Sequence, residues 1–227
     1  MQLPSGFVVR GDVMRDSTGA PARLDIVAYD GDGNPLPDVQ PEFFIIDSAP
    51  AAHFDANGFL VGDKLGTVRV IGQIGSLQTP ATQIPITVAP TKIAPGAARP
   101  DTIRAPAGKD SASSIGSTPI SVVVTGAGDT AVQGVVVQLK LTRTLASSST
   151  SQPAVYIGNA AGKPASLDTT VTGSQKRVIV LTRNLADQAL LSGQKIDSVI
   201  VEASASYKGA PLAGSPVRFV IPVRVTF

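Results

Sequence analysis

Asp30-Gly-Asp-Gly-Asn34 sets three oxygen-bearing side chains at alternate positions, the start of a calcium-binding loop. The pattern then breaks. Pro35 stands where such a loop needs Gly, and Pro41 where it needs Glu. Turns favour the same residue types, so the segment reads as a polar hairpin turn. Asp30 and Asp32 stay as candidates for a weak calcium site, and otherwise no metal site is expected. Arg10-Gly-Asp12 is an integrin-type tripeptide, but three residues recur easily by chance and these sit beside an expected strand. His53 is the single histidine, and with no second His or any Cys to join it, it reads as a packed or rim residue. Lys176-Arg177 with Arg183 forms a small basic cluster without interleaved aromatics, which argues against nucleic acid. Ser147-Ser-Ser-Thr-Ser151 reads as a solvated loop tip.

Catalysis has little to draw on. Zero cysteine excludes thiol nucleophiles, thiolate zinc sites and disulfides, and one histidine rules out every His-paired arrangement that does not use His53. No phosphate-cradling or dinucleotide motif is present. The expectation is therefore no catalytic residues, no cofactor and no enzyme activity. No apolar run reaches the roughly 20 residues a membrane helix needs. With no Trp, three Tyr and seven Phe, a face of stacked aromatics for sugars or bases is poorly supplied.

The elements that hold these residues follow a repeat. Leu24 to Phe43 aligns without gaps on Ile120 to Leu139. Leu24 matches Ile120, Ile26 matches Val122, Ala28 matches Val124, Leu36 matches Val132 and Val39 matches Val135. Each copy reads as an alternating strand, a Gly/Asp turn and a second alternating strand. The spacing between copies is that of one β-sandwich domain. A second match sets Val68 and Val70 against Val199 and Val201, which leaves extra residues in the second copy between about 143 and 181. Gly (22) and Pro (18) are plentiful, as expected of short strands joined by turns.

The fold class expected is all-β, with two tandem immunoglobulin-like β-sandwiches, the second carrying a loop-rich insertion. Residues 1–90 form the first domain, 91–100 a semi-rigid Pro/Ala/Gly linker and 101–227 the second, larger domain. Strands are expected at Gly6–Arg10, Arg23–Tyr29, Glu42–Ile46, Ala52–Asp55, Phe59–Val61, Gly66–Ile71 and Gln83–Val88, with Pro85 demoting the last to an edge or bulged strand. In the second domain they are expected at Pro119–Thr125, Gly134–Thr142, Ala154–Ile157, Lys176–Thr182, Ser198–Ala205 and Pro216–Thr226. Asn184–Leu191 is the one helical candidate. Residues 1–90 hold five Lys/Arg and ten Asp/Glu, a net −5, whereas 91–227 hold fourteen and seven, a net +7. An acidic and a basic domain in one chain point to weak head-to-tail self-association.

Tyr29-Asp-Gly-Asp-Gly-Asn-Pro-Leu-Pro-Asp-Val39 resembles the conserved turn of the bacterial Ig-like domains found in invasin/intimin-type surface proteins. Phe54-Asp-Ala-Asn-Gly-Phe-Leu-Val-Gly62 and Gly66-Thr-Val-Arg-Val70 are similar to the following run of the group 2 subfamily. The resemblance covers residues 20–90 well and is looser over 100–227, where Thr130-Ala131 replaces Asn34-Pro35. It implies a non-enzymatic, extracytoplasmic structural or adhesive module of a bacterial surface or secreted protein. The alternatives are a decoration or tail module of a phage particle, or accessory domains of a larger extracellular enzyme. The expected partner is a protein, cell surface or particle, with no nucleic acid and no membrane insertion. Met1–Phe7 has neither a basic start nor an apolar core, so an export leader is expected to lie outside this chain.

Overall fold

Alternation of apolar and polar residues decides which side of each strand faces inward. In Gly66-Thr-Val-Arg-Val-Ile71, Val68 and Val70 are fully buried while Thr67 and Arg69 are exposed. The computed structural model describes every residue except 2, 37–38, 108–113, 151, 159–165, 173, 194 and 227. Ser151 and part of the expected insertion therefore lie outside the described residues. The chain is nearly all β and divides into two compact units. One comprises Met1–Thr91, Val124–Val136 and Ser206–Ala210; the other comprises Lys92–Val123, Val137–Ala205 and Pro211–Phe227.

In the first unit, β1 (Val8–Val9), β2 (Glu42–Ile45), β3 (Ala52–Phe54), β4 (Leu60–Gly62), β5 (Gly66–Ile74), β6 (Leu77–Gln78) and β7 (Thr82–Thr87) follow in order. The main sheet runs β1-β7-β5-β2, with β6 on β5 and a separate β3-β4 hairpin. β1 pairs with β7 in parallel, through Val8 with Ile86 and Val9 with Thr87, and the other pairs are antiparallel. Val8, Met14, Leu24, Leu60, Val68, Val70, Ile84 and Ile86 form its core.

Next come β8 (Pro90–Pro95), β9 (Ile103–Pro106), β10 (Ile115–Ile120), β11 (Val122–Gly126), β12 (Val136–Arg143), β13 (Val155–Gly158), β14 (Leu167–Val171) and β15 (Lys176–Leu181). After the helical turn α1 (Gln188–Leu191) come β16 (Asp197–Ser204), β17 (Ser206–Tyr207), β18 (Ala210–Pro211) and β19 (Val217–Thr226). A three-stranded sheet, β10-β15-β13, accompanies a five-stranded one, β14-β12-β16-β19-β9. The early strand β9 lies parallel to the last, β19, as β1 does to β7. Val199 and Val201 on β16 are fully buried, like Val68 and Val70 on β5, and each pair sits on a strand flanked on both sides. The second match between the copies thus falls on corresponding strands.

The first match holds at the level of single hydrogen bonds. The Asp30 amide donates to the Asn34 carbonyl (2.9 Å), and Gly126 donates to Thr130 (2.8 Å). Leu36 donates to Ala28, and Val132 to Val124, both at 2.8 Å. Tyr29 bridges Pro35 as Thr125 bridges Ala131. Even the left-handed position is kept: Gly33 has φ 85°, and its counterpart Asp129 has φ 54°.

Four segments differ from the sequence expectation. Arg23–Tyr29 makes only isolated bridges among the described residues, and its bridge partner Pro35 lacks an amide donor. β7 lies inside the sheet despite Pro85. The two-residue β1 reaches only Ile86 and Thr87, so Pro85 falls beyond its end. The run Ile120–Thr125 is broken at Ser121, whose hydroxyl accepts from the Ala98 amide (3.0 Å) and whose carbonyl accepts from Gly96 (2.8 Å). Within the Pro/Ala/Gly stretch, Pro90–Pro95 is itself a strand paired with β11.

Gly33 and Gly31 share one turn but face different constraints. No neighbour lies within 4 Å of a Cβ built at either, yet only Gly33 is left-handed. Gly33→Ala is expected to cost about 1 kcal/mol in urea unfolding, and Gly31→Ala to be neutral or slightly stabilising.

Candidate functional site

The densest polar cluster in the first unit is built on Asp12. The chain turns there as the Asp12 amide donates to the Val9 carbonyl (3.0 Å), which points the carboxylate inward. Its side chain is 14% exposed, and a carboxylate so placed needs compensating partners. Oδ1 accepts from the Val13 amide (2.9 Å) and from Arg15 Nη2 (2.8 Å). Oδ2 accepts from Arg15 Nε (3.0 Å), from the Tyr207 hydroxyl (2.9 Å) and from Lys208 Nζ (2.7 Å). The fork of Arg15 thus binds both oxygens at once, the strongest geometry for this pair. Burial alone would raise the Asp12 pKa. The bonds from Arg15, Lys208, Tyr207 and Val13 outweigh it and hold the carboxyl far below the ordinary aspartate range. Burial and the bond to Asp12 push the Tyr207 hydroxyl well above its ordinary value.

Tyr207 and Lys208 arrive on the tight β17-β18 turn, where Lys208 (φ 51°) and Gly209 (φ 76°) are both left-handed. The turn lies against Gly19. A Cβ there would stand 2.6 Å from the Lys208 Cα, so no side chain fits. Arg15 Nη1 also donates to the Gly19 carbonyl (2.8 Å), and the Phe7 and Tyr207 rings pack with centroids 6.4 Å apart. The carboxylate of the Arg10-Gly-Asp12 tripeptide is therefore engaged on every side. The role of Asp12 escaped the sequence because its partner Tyr207 lies 195 residues away.

Three other aspartates of this unit hold hairpins. Asp16-Ser-Thr-Gly-Ala20, Asp30-Gly-Asp-Gly-Asn34 and Asp55-Ala-Asn-Gly-Phe59 fold alike. In each, Oδ1 of the aspartate accepts from the amides two and four residues on, at 2.8–3.0 Å. The fourth residue is a left-handed glycine, with φ 91°, 85° and 77° in turn. This is an Asx-capped turn, and the signature Asp-x-x-Gly is visible in sequence at all three places. The Asn34 amide and side chain lower the Asp30 pKa, and the Thr18 hydroxyl and the Ala20 and Thr18 amides lower that of Asp16. Asp32 contributes its amide, rather than its carboxylate, to the Asp30 turn.

The remaining candidates are dispersed. His53 Nδ1 lies 2.9 Å from Asp63 on the exposed side of the β3-β4 hairpin. Lys176 pairs with Asp168 (2.8 Å), Arg177 donates to the Ser117 hydroxyl and Arg183 to Gln152, so the three basic residues serve separate contacts. The Ser147 hydroxyl donates to the Gln152 carbonyl (2.9 Å), which ties the serine loop back on itself. Asp187 caps α1 through the Ala189 and Leu190 amides. No group of three or more His, Cys, Asp or Glu residues could hold a metal ion among the described residues. No helix described is long and apolar enough to cross a membrane.

No protein-family profile and no curated protein sequence matches the chain. Among solved structures it is similar to domains 4 and 5 of the S-layer protein SbsC, at 14% identity and TM-score 0.33, with 98% of this chain and 93% of that chain covered. It is also similar to the Yersinia pseudotuberculosis adhesin InvE, at 16% identity and TM-score 0.31, with 85% and 51% covered. Against the longer SbsC fragment of domains 4–9, at 14% identity and TM-score 0.33, it aligns over 97% of its own length and 28% of that chain.

Asp30 Oδ1 already accepts from two amides, and Oδ2 lies 3.2 Å from the Asn34 side-chain amide. Millimolar calcium is expected to leave the melting temperature unchanged in calorimetry, whereas Asp30→Ala lowers it with or without the ion. A calcium-dependent rise lost in Asp32→Ala would refute this.

Proposed function

We propose that this chain is a non-enzymatic structural or adhesive module displayed outside the cytoplasm by a bacterial surface or secreted protein. The observation that carries the reading is the use made of its carboxylates. Asp12, Asp16, Asp30 and Asp55, the residues with most chemical potential in the first unit, all secure turns. Short strands tied by Asx-capped hairpins suit a module that bears load or presents a surface. The sequence resemblance to bacterial Ig-like domains points the same way. The S-layer and adhesin chains are proteins of that general kind.

In this reading 1–90 and 101–227 are the two repeated modules, joined through 91–100, and the partner is a protein, a cell surface or a particle. The opposite net charges of the two parts support weak head-to-tail self-association.

Localisation of the full-length parent is the test. Protease added to intact cells is expected to cleave within this chain, which should fractionate with the envelope or the medium. Recovery only from the cytosol, protected in intact cells, would refute the reading. Recovery with phage particles would favour the particle-decoration alternative.

A further inference from the structure

Alternation along β19 leaves Arg218, Val220, Pro222 and Arg224 on the outer face of the five-stranded sheet. Val220 is 55% exposed, a large apolar side chain without cover. Arg224 lies directly across from Arg104 of β9, also exposed, so two like charges face each other on adjacent strands. Such a pair is unfavourable unless an anion sits over it. At the other end of the face, about 20 Å along the strand, Arg218 lies across from Glu202, which in turn lies across from Lys140. The side chains of Arg104, Lys140, Arg218 and Arg224 have no hydrogen-bonding or ionic partner among the described residues, whereas those of Arg143, Lys176 and Lys195 each hold a carboxylate. An arginine pair without a facing carboxylate thus stands at one end of an apolar strip, and two cations share the single carboxylate of Glu202 at the other.

We infer that this face docks the acidic unit of a second copy of the chain. That unit offers the complementary chemistry. β2 ends its sheet, and its outer side shows Glu42 and Phe44, followed by Ile46, with both apolar side chains 42% exposed. The net charge of residues 1–90 is −5, against +7 for the rest. A flat strip with apolar middle and charged ends fits a second protein surface better than a sugar chain, since no aromatic stands on β19's outer side for stacking. The contact is heterologous, so it propagates head to tail. Each exposed ion pair is weak, and the contact depends on several together and on low salt. This inference rests on the self-association proposed above and assigns it a surface.

Sedimentation velocity on the full chain tests it, at about 20 mM and about 150 mM salt, with circular dichroism confirming that each variant folds. The wild type is expected to associate at low salt. R104E/R224E is expected to associate at least tenfold more weakly and E42K several-fold more weakly, and all three substitutions in one chain to restore association. Unchanged association in both variants would overturn the surface while leaving self-association standing. A wild type monomeric at both salts, up to high concentration, would overturn both. A monomer that binds poly-glutamate, and loses that binding in R104E/R224E, would also overturn the inference and assign the face to a free acidic polymer.

Discussion

Five donors converge on one carboxylate. Asp12 is held by an adjacent amide, the two arms of Arg15, a phenol and an ammonium group, the last two brought by the β17-β18 turn. The first unit therefore includes Ser206–Ala210, a segment far downstream in sequence. The surrounding geometry adapts to this contact. Gly19 gives up its side chain so that the turn can pass, and Lys208 takes a left-handed conformation that a non-glycine residue rarely adopts. A partly buried carboxylate with only some of these donors would destabilise the unit, so the set stands or falls together.

Much of the architecture was legible because it depends on local alternation and turn chemistry. The 28–36 and 124–132 hairpins share their two flanking backbone bonds and their bridge, and the Val pairs of β5 and β16 fall on corresponding strands. What the sequence hid is non-local. Nothing around Tyr207 or Lys208 signals an aspartate partner, and nothing within Val124–Val136 signals that it groups with residues 1–91. Proline was misleading in both directions. Pro85 suggested an edge or bulged strand and lies inside the sheet in unbroken register, while Arg23–Tyr29 makes bridges, one of them to Pro35, where a ladder was expected. In each case the outcome turned on whether a neighbouring strand needed the missing amide.

The turns explain why motif reading at the candidate site was partly deceptive. Aspartate and glycine at alternating positions serve a cation loop and an Asx-capped hairpin equally well on paper. In the structure the Asp30 oxygen faces its own backbone amides, as those of Asp16 and Asp55 do. The same residue types thus give rigidity to hairpins, while Phe44, Ile46 and Val220 stand exposed on the outer sides of their strands.

A double-mutant cycle joining Asp12→Asn and Tyr207→Phe measures the central contact directly. At neutral pH each single change should cost about 1–3 kcal/mol, and their effects should fall short of additive by about 1 kcal/mol, because the phenol donates to the charge being removed. The Asp12 pKa is lower folded than unfolded, so its contribution should be complete above the ordinary aspartate value of 3.8 and should fade as pH drops through the folded value. Strict additivity at neutral pH, with Asp12→Asn costing nothing, would contradict the account.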